Sequence, residues 1–111
     1  AMNIYEFFIA ALTAARASTI CSFPFLIKHT PTSLKIRIAM AGDEFVDLFY
    51  NEESGRTDFA LIKNNQRIYG ADNAGGWHIH PFEDPSRHES IDGPMSIMEF
   101  IQTIELRYRQ S

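Results

Sequence analysis

Residues 34–70, LKIRIAMAGDEFVDLFYNEESGRTDFALIKNNQRIYG, decide the fold of this chain. Between Leu34 and Met40 every second residue is apolar, a pattern typical of a strand with one buried face. Turn-forming residues divide the rest into three further expected strands, at residues 45–50, 56–63 and 66–70. Because short turns such as Asn64-Asn65 make consecutive strands neighbours, this run predicts an antiparallel meander.

The segment before residue 34 predicts a helix and an edge strand. Apolar residues recur at helical spacing within residues 3–17, and Asn3 with Glu6 matches a capping box. Residues 19–28 are rich in β-forming side chains but include Pro24, which has no N–H to donate to a sheet. This strand is therefore expected at an edge of the sheet or bent.

The segment after residue 70 predicts a polar loop at residues 72–76, a fifth strand at residues 77–80 and a closing helix. The helix begins near Pro94, with a capping-box pattern two residues further on. Its expected buried stripe consists of Ile97, Phe100, Ile101, Ile104 and Tyr108. The prediction is a single α+β domain over residues 1–111, an antiparallel meander of about five or six strands with both helices on one face.

The formal net charge of −4 is concentrated in one segment. Residues 71–92 carry five acidic side chains against Arg87 alone. A negative surface disfavours non-specific binding to nucleic acid. The same carboxylates would raise the pKa of a nearby histidine or attract a divalent cation.

Compartment is predicted from the cysteine content and the N-terminus. Cys21 is the only cysteine, which excludes an internal disulfide and indicates a reducing cytoplasm. No apolar run is long enough for a membrane span, and the first residues lack the positive charge of a secretory signal. A cytoplasmic location without membrane association is therefore expected.

The stretch WHIHPFEDPSRH, which ends at His88, contains three of the four histidines and the only tryptophan. In a strand, alternation directs Trp77 and Ile79 to the core and His78 and His80 outward together. His88 would join them from the following loop.

Three interpretations of this cluster are open. His78, His80 and His88 beside carboxylates suit zinc or a similar divalent transition metal. Alternatively, one histidine acts as a general base and another, or Arg87, as an acid or charge stabiliser, as cleavage of RNA at a 2′-OH requires. In the third, the histidines only hydrogen-bond to neighbouring acidic groups. Arg67 and Tyr69, which flank Ile68, are expected to share a face that either lines this site or is solvated.

These residues resemble the TumE-like toxin family of bacterial and archaeal type II toxin–antitoxin modules. The resemblance lies in RIYGADNA at residues 67–74, followed closely by WHIHPF at residues 77–82 and by His88, and it extends over roughly residues 34–105. The family shares an arginine and an aromatic residue before Asp-Asn, then a histidine-rich stretch with proline. The Gly75-Gly76 loop and the phenylalanine-rich first helix depart from it.

The resemblance implies a toxin, with RNA cleavage as its activity and an antitoxin that carries a helix-turn-helix as its partner. The residues on the shared pattern, implied to be catalytic, are Arg67, Asp72, Asn73, His78, His80 and His88. The leading hypothesis adds Arg67, Tyr69 and Arg87 as substrate-binding residues, with the two arginines holding phosphate, and expects Asp72 and Asn73 to position the reacting groups.

Two other classes of function are compatible with the sequence. The chain could be a non-catalytic module that binds a divalent metal or a protein. It could also form a homodimer through its apolar edge strand, since Phe23 and Phe25 flank Pro24 there.

Overall fold

The computed structural model describes residues 2–110, and in this range seven strands pair antiparallel in strict chain order to form one sheet. The elements are α1 (Ile4–Ala17), β1 (Phe25–His29), β2 (Ser33–Ala39), β3 (Glu44–Asn51), β4 (Thr57–Lys63), β5 (Gln66–Asp72), β6 (His78–His80), β7 (Glu89–Ser90) and α2 (Ile97–Arg109). The predicted α+β meander is confirmed. The predicted count of strands is too low, because the two-residue β7 is too short to show any alternation.

Both helices begin as their sequences predict. The Asn3 side chain accepts a hydrogen bond from the Glu6 amide at 2.8 Å, and the Ser96 side chain accepts one from the Glu99 amide at 3.0 Å. In both helices the glutamate side chain accepts a hydrogen bond from the backbone N–H of the cap residue, which completes two capping boxes. The second helix therefore starts at Ile97 rather than at Pro94.

The helices cover one face of the sheet and share its core. Phe7 of α1 stacks on Tyr50 with a centroid distance of 5.0 Å. Phe100 of α2 contacts Phe59 at 5.4 Å and Tyr69 at 5.1 Å. The opposite side of the sheet, the open face, carries the alternate residues of β2 to β6. These include Lys35, Arg37, Asp47, Phe49, Asp58, Asp72 and His78.

The β4–β5 hairpin sets which side chains reach the open face. Its turn residues Asn64 and Asn65 have φ values of 52° and 60°, as the sequence predicts. The register then shifts by one residue, so that Ile68 is the additional residue of a bulge. The expectation that Arg67 and Tyr69 share a face is therefore wrong, because the bulge directs Tyr69 into the core.

Candidate metal centre

Strand β6 brings two histidines to the open face beside Asp72. Across β5 and β6, His78 is the Cα partner of Asp72, and His80 is the partner of Gly70. Asp72 is the last residue of β5 rather than part of the expected loop. Ile79, between the histidines, packs against the core, as strand alternation requires.

His80 is buried, whereas the sequence predicted that it points outward with His78. Its exposed fraction is only 2%, and Gly70 provides the space for its ring. A Cβ atom at Gly70 would lie 2.9 Å from Cδ of Arg67 and 3.4 Å from Cδ2 of His80. Arg67 therefore lies over Gly70 and beside the buried imidazole.

His88 completes a triangle of imidazole rings. The ring centroids of His78 and His80 are 5.0 Å apart, and His88 lies 4.8 Å from the first and 4.5 Å from the second. One nitrogen of each ring lies within 4.8 Å of the other two. His88 is exposed, so one side of the triangle faces solvent.

Asp72 is the carboxylate that orients this cluster. Its Oδ2 atom accepts a hydrogen bond from His80 Nε2 at 3.0 Å, and its Oδ1 atom accepts one from the Ala74 amide at 3.0 Å. Burial alone would raise the pKa of Asp72. The hydrogen bonds from the Ala74 amide and from His80, together with the electrostatic effect of the nearby His78 and His80 rings, outweigh burial and hold that pKa below its ordinary value.

The hydrogen bonds of the two strand histidines fix which nitrogen of each ring carries a proton. A carbonyl oxygen only accepts, so the 3.2 Å contact between His78 Nδ1 and the Gly76 carbonyl places the proton on Nδ1. By the same reasoning, the carboxylate of Asp72 places the proton of neutral His80 on Nε2. The free lone pairs are therefore on His78 Nε2 and His80 Nδ1.

Those two nitrogens are the buried side-chain nitrogen and oxygen atoms of residues 2–110 that have no hydrogen-bond partner. His78 Nε2 lies 3.2 Å from Asp72 Oδ1, but without the alignment of a hydrogen bond. With the proton on Nδ1, His78 Nε2 and Asp72 Oδ1 are both acceptors at this distance, and a bound cation would relieve their repulsion. Histidines that bind metals commonly donate their other N–H to a carboxylate or a backbone carbonyl, as both do here.

The distances fit a metal after a modest closure. Nitrogens bound to one tetrahedral zinc are about 3.3 Å apart, as follows from Zn–N bonds of roughly 2.0–2.1 Å. The three ligand nitrogens of the histidines are up to 4.8 Å apart, so they would have to approach one another by up to about 1.5 Å to bind one zinc. His88 lies in an exposed segment between β6 and β7, where such a movement disturbs no core packing.

The side chain of Arg67 passes over Gly70 on the side of His80, and its guanidinium is directed to the loop before His88. Arg87 has a different partner. An Arg67 guanidinium nitrogen donates to the Pro85 carbonyl at 3.4 Å. Arg87 instead pairs with Glu89 at 2.6 Å, and its side chain is 54% exposed. Of the two arginines predicted to hold phosphate, only Arg67 has a side-chain atom close to Gly70, the Cα partner of His80.

Asn73 and Tyr69 occupy structural positions. The Asn73 amide oxygen accepts from the Thr57 backbone at 2.9 Å, and its nitrogen donates to the Gly55 carbonyl at 2.8 Å. Its side chain therefore fastens the start of β4 to the end of β5, rather than positioning a reacting group. Tyr69 is 3% exposed and stacks on Phe82, with a centroid distance of 4.4 Å. Its ring belongs to the core, so the prediction that it lines the site is wrong.

The sequence interpretation did not include Gly70 or Asp58. Gly70 is the Cα partner of His80, and Asp58 is the Cα partner of Asp72. Both could have been found by extending the predicted hairpin register to the histidine strand, once the bulge at Ile68 is included.

The fold and the site define a small α+β domain with a candidate three-histidine metal centre. Comparison of the chain with protein-family models, curated proteins and solved structures finds no match. In residues 2–110, no helix combines the length and the apolar character needed to cross a membrane.

Proposed function

We propose that this chain is the RNA-cleaving toxin of a toxin–antitoxin module and that His78, His80 and His88 bind a divalent transition metal, zinc being the best fit, at its catalytic centre. Metal binding is supported by the two buried ring nitrogens without a partner, His78 Nε2 and His80 Nδ1. Each is left free because the other nitrogen of its ring makes a hydrogen bond. The reaction class is supported by the resemblance of residues 67–88 to TumE-like toxins.

The residues have distinct roles in this proposal. A metal at three histidines supplies Lewis-acid activation of a phosphodiester or of water. Asp72 holds His80 in the tautomer whose Nδ1 is free to ligate. Arg67, beside the buried His80, offers a guanidinium to the phosphate. Exposed His88 marks the side from which RNA enters.

Metal analysis of the purified chain tests the centre. We expect about one zinc per chain by inductively coupled plasma mass spectrometry, as for a single three-histidine site. Combined replacement of His78 and His80 by alanine should abolish the zinc content. The matched control is His29→Ala, because His29 is an exposed histidine of β1 outside the cluster. Native protein that takes up no zinc, or a double variant that retains it, would contradict the metal proposal.

A nuclease assay on the same samples tests the reaction. RNA cleavage and growth arrest on expression should disappear in the double variant and persist in His29→Ala. Cleavage that survives complete chelation would instead indicate metal-free acid–base chemistry, which the Asp72–His80 contact of 3.0 Å also suits. Zinc binding without cleavage would indicate a non-catalytic metal-binding module.

The proposal also includes location and partners. Its action lies in the cytoplasm, where RNA is available, and its antitoxin carries a helix-turn-helix. A homodimer would form along β1 at the edge of the sheet, where Phe25 is 47% exposed and Phe23, just before the strand, is 75% exposed. Light scattering of the purified chain tests this contact, and a monomeric mass would exclude it.

A further inference from the structure

The open face holds a cavity of about 410 Å³ next to the histidine cluster. This volume lies in the range of small-ligand sites. Its lining combines three apolar residues, two cations and two carboxylates: Phe49, Ala60, Ile62, Lys35, Arg56, Asp47 and Asp58. No role in the proposed metal centre accounts for this combination.

The cavity adjoins the metal centre through one pair of carboxylates. Asp58 in the cavity wall is the Cα partner of Asp72, which orients His80. Partner Cα atoms on antiparallel strands are about 4.5–5.5 Å apart. Strand β4, which carries Asp58, is separated from β6 by β5 alone, a distance of about 10 Å at the usual strand spacing, so a ligand in the cavity is within reach of an RNA bound at the histidines.

We propose that this cavity binds a nucleobase of a single-stranded RNA whose phosphodiester lies in the adjacent metal centre, an inference that rests on the proposed function. A nucleobase has apolar faces and polar edges. Phe49 offers a half-buried ring on which a base can stack. Asp58 offers an acceptor to amino and imino groups, while Lys35 and Arg56 offer donors to carbonyl oxygens or to a flanking phosphate.

The local charge also suits RNA, although the chain as a whole is acidic. Arg37 binds both carboxylate oxygens of Asp47, at 2.8 and 3.0 Å, and lies over the Phe45 ring at 4.0 Å from its centroid. Lys35 is a looser partner of Asp47 at 3.8 Å, so its ammonium has donors available to a ligand.

Around the cavity, three cations therefore accompany two carboxylates: Lys35, Arg37 and Arg56 against Asp47 and Asp58. This balance is opposite in sign to that of residues 71–92, where five acidic side chains accompany Arg87.

Fluorescence anisotropy with a labelled single-stranded RNA of roughly eight nucleotides tests the cavity. Chelator in the buffer prevents metal-dependent cleavage during the measurement. Phe49→Ala should raise the Kd roughly 5- to 150-fold, the range that loss of one base–aromatic stack corresponds to. Phe49→Tyr should retain binding. Tyr5→Ala is the matched control, since Tyr5 is an aromatic residue of α1 that is 73% exposed and does not line the cavity.

The outcomes separate this inference from the proposed function. Equal RNA affinity of wild type and Phe49→Ala overturns the base site, even if zinc binding and cleavage are found. An equal loss of affinity in Tyr5→Ala also overturns it, because the effect would then not be specific to the cavity. RNA binding that depends on Phe49, in a chain that takes up no zinc, would support the base site while the metal centre fails. Zinc content unchanged in Phe49→Ala excludes an indirect effect through the histidines.

Discussion

Asp72→Asn is expected to lower the zinc affinity of the chain by roughly 100-fold. Asp72 uses both oxygens as acceptors, from His80 Nε2 at 3.0 Å and from the Ala74 amide at 3.0 Å. An asparagine has one acceptor and one donor in these two places. Either orientation of its amide therefore sets two N–H groups against each other, unless His80 moves its proton to Nδ1. That proton would then occupy the nitrogen expected to bind the metal.

The magnitude follows from the number of ligands that Asp72 orients. Loss of one outer partner of a ligating histidine commonly costs 10- to 100-fold in metal affinity, or roughly 1.4–2.7 kcal/mol. Asp72 contacts two of the three histidines, since His78 Nε2 is also 3.2 Å from its Oδ1 atom. The upper end of that range is therefore expected.

Competition with a chromophoric chelator measures this affinity directly. Asp58→Asn is the matched control, because it removes a carboxylate from the same face, one strand away, without a described contact to the histidines. The reasoning is refuted if Asp72→Asn binds zinc as tightly as wild type. It is also refuted if Asp58→Asn weakens binding as much, because the effect would then be one of charge rather than of tautomer.

Three other substitutions test neighbouring parts of the structure. Gly70→Ala should destabilise the fold by about 1–3 kcal/mol in urea unfolding, because its Cβ would meet the Phe59 carbonyl at 3.1 Å, and unchanged stability would contradict that packing. Asn73→Ala should lower the free energy of unfolding by about 1–3 kcal/mol and leave the zinc content unchanged. Loss of zinc at normal stability would instead indicate that Asn73 acts in the site. Burial, and secondarily Asp72, raise the pKa of Asp58, so its ionised form is disfavoured in the folded state. Asp58→Asn should therefore be more stable than wild type at pH 7, and the gain should vanish below the ordinary pKa of 3.8, where both folded and unfolded wild type are protonated. A gain that persists at pH 3 would exclude this cause.

Local patterns were sufficient to predict the meander. Asn64-Asn65 adopts the positive φ values that its composition favours, and both capping boxes form. Such features depend on residues only a few positions apart, so they can be predicted from short stretches of sequence. The bulge at Ile68 was missed because a register shift depends on how two strands pair, and neither strand shows it alone.

The sequence predicted which three histidines form the cluster, but it did not predict that His80 is buried. Spacing of two residues on a strand placed His78 and His80 on one face, as observed. Burial of His80 was missed because it depends on the absence of a side chain at Gly70 on the neighbouring strand and on Arg67 above it. The structural contacts of Asn73 were missed for a similar reason, since its partners in the Gly55–Thr57 segment become close only after β4 and β5 pair.

The buried His80 is what argues most directly for a ligand at this site. Leaving a buried polar atom without a hydrogen bond costs about 1–3 kcal/mol, and His80 Nδ1 is such an atom. Packing does not require it, because an apolar ring in the space above Gly70 would avoid the cost. Asp72 adds a second cost, since its side chain is only 7% exposed and its Oδ1 atom lies 3.2 Å from His78 Nε2, which is also an acceptor. A bound cation would offset both costs at once, because it accepts the lone pairs of the imidazoles and neutralises the carboxylate. The arrangement is therefore understandable as a site prepared for a cation, whereas it has no comparable explanation as part of the core.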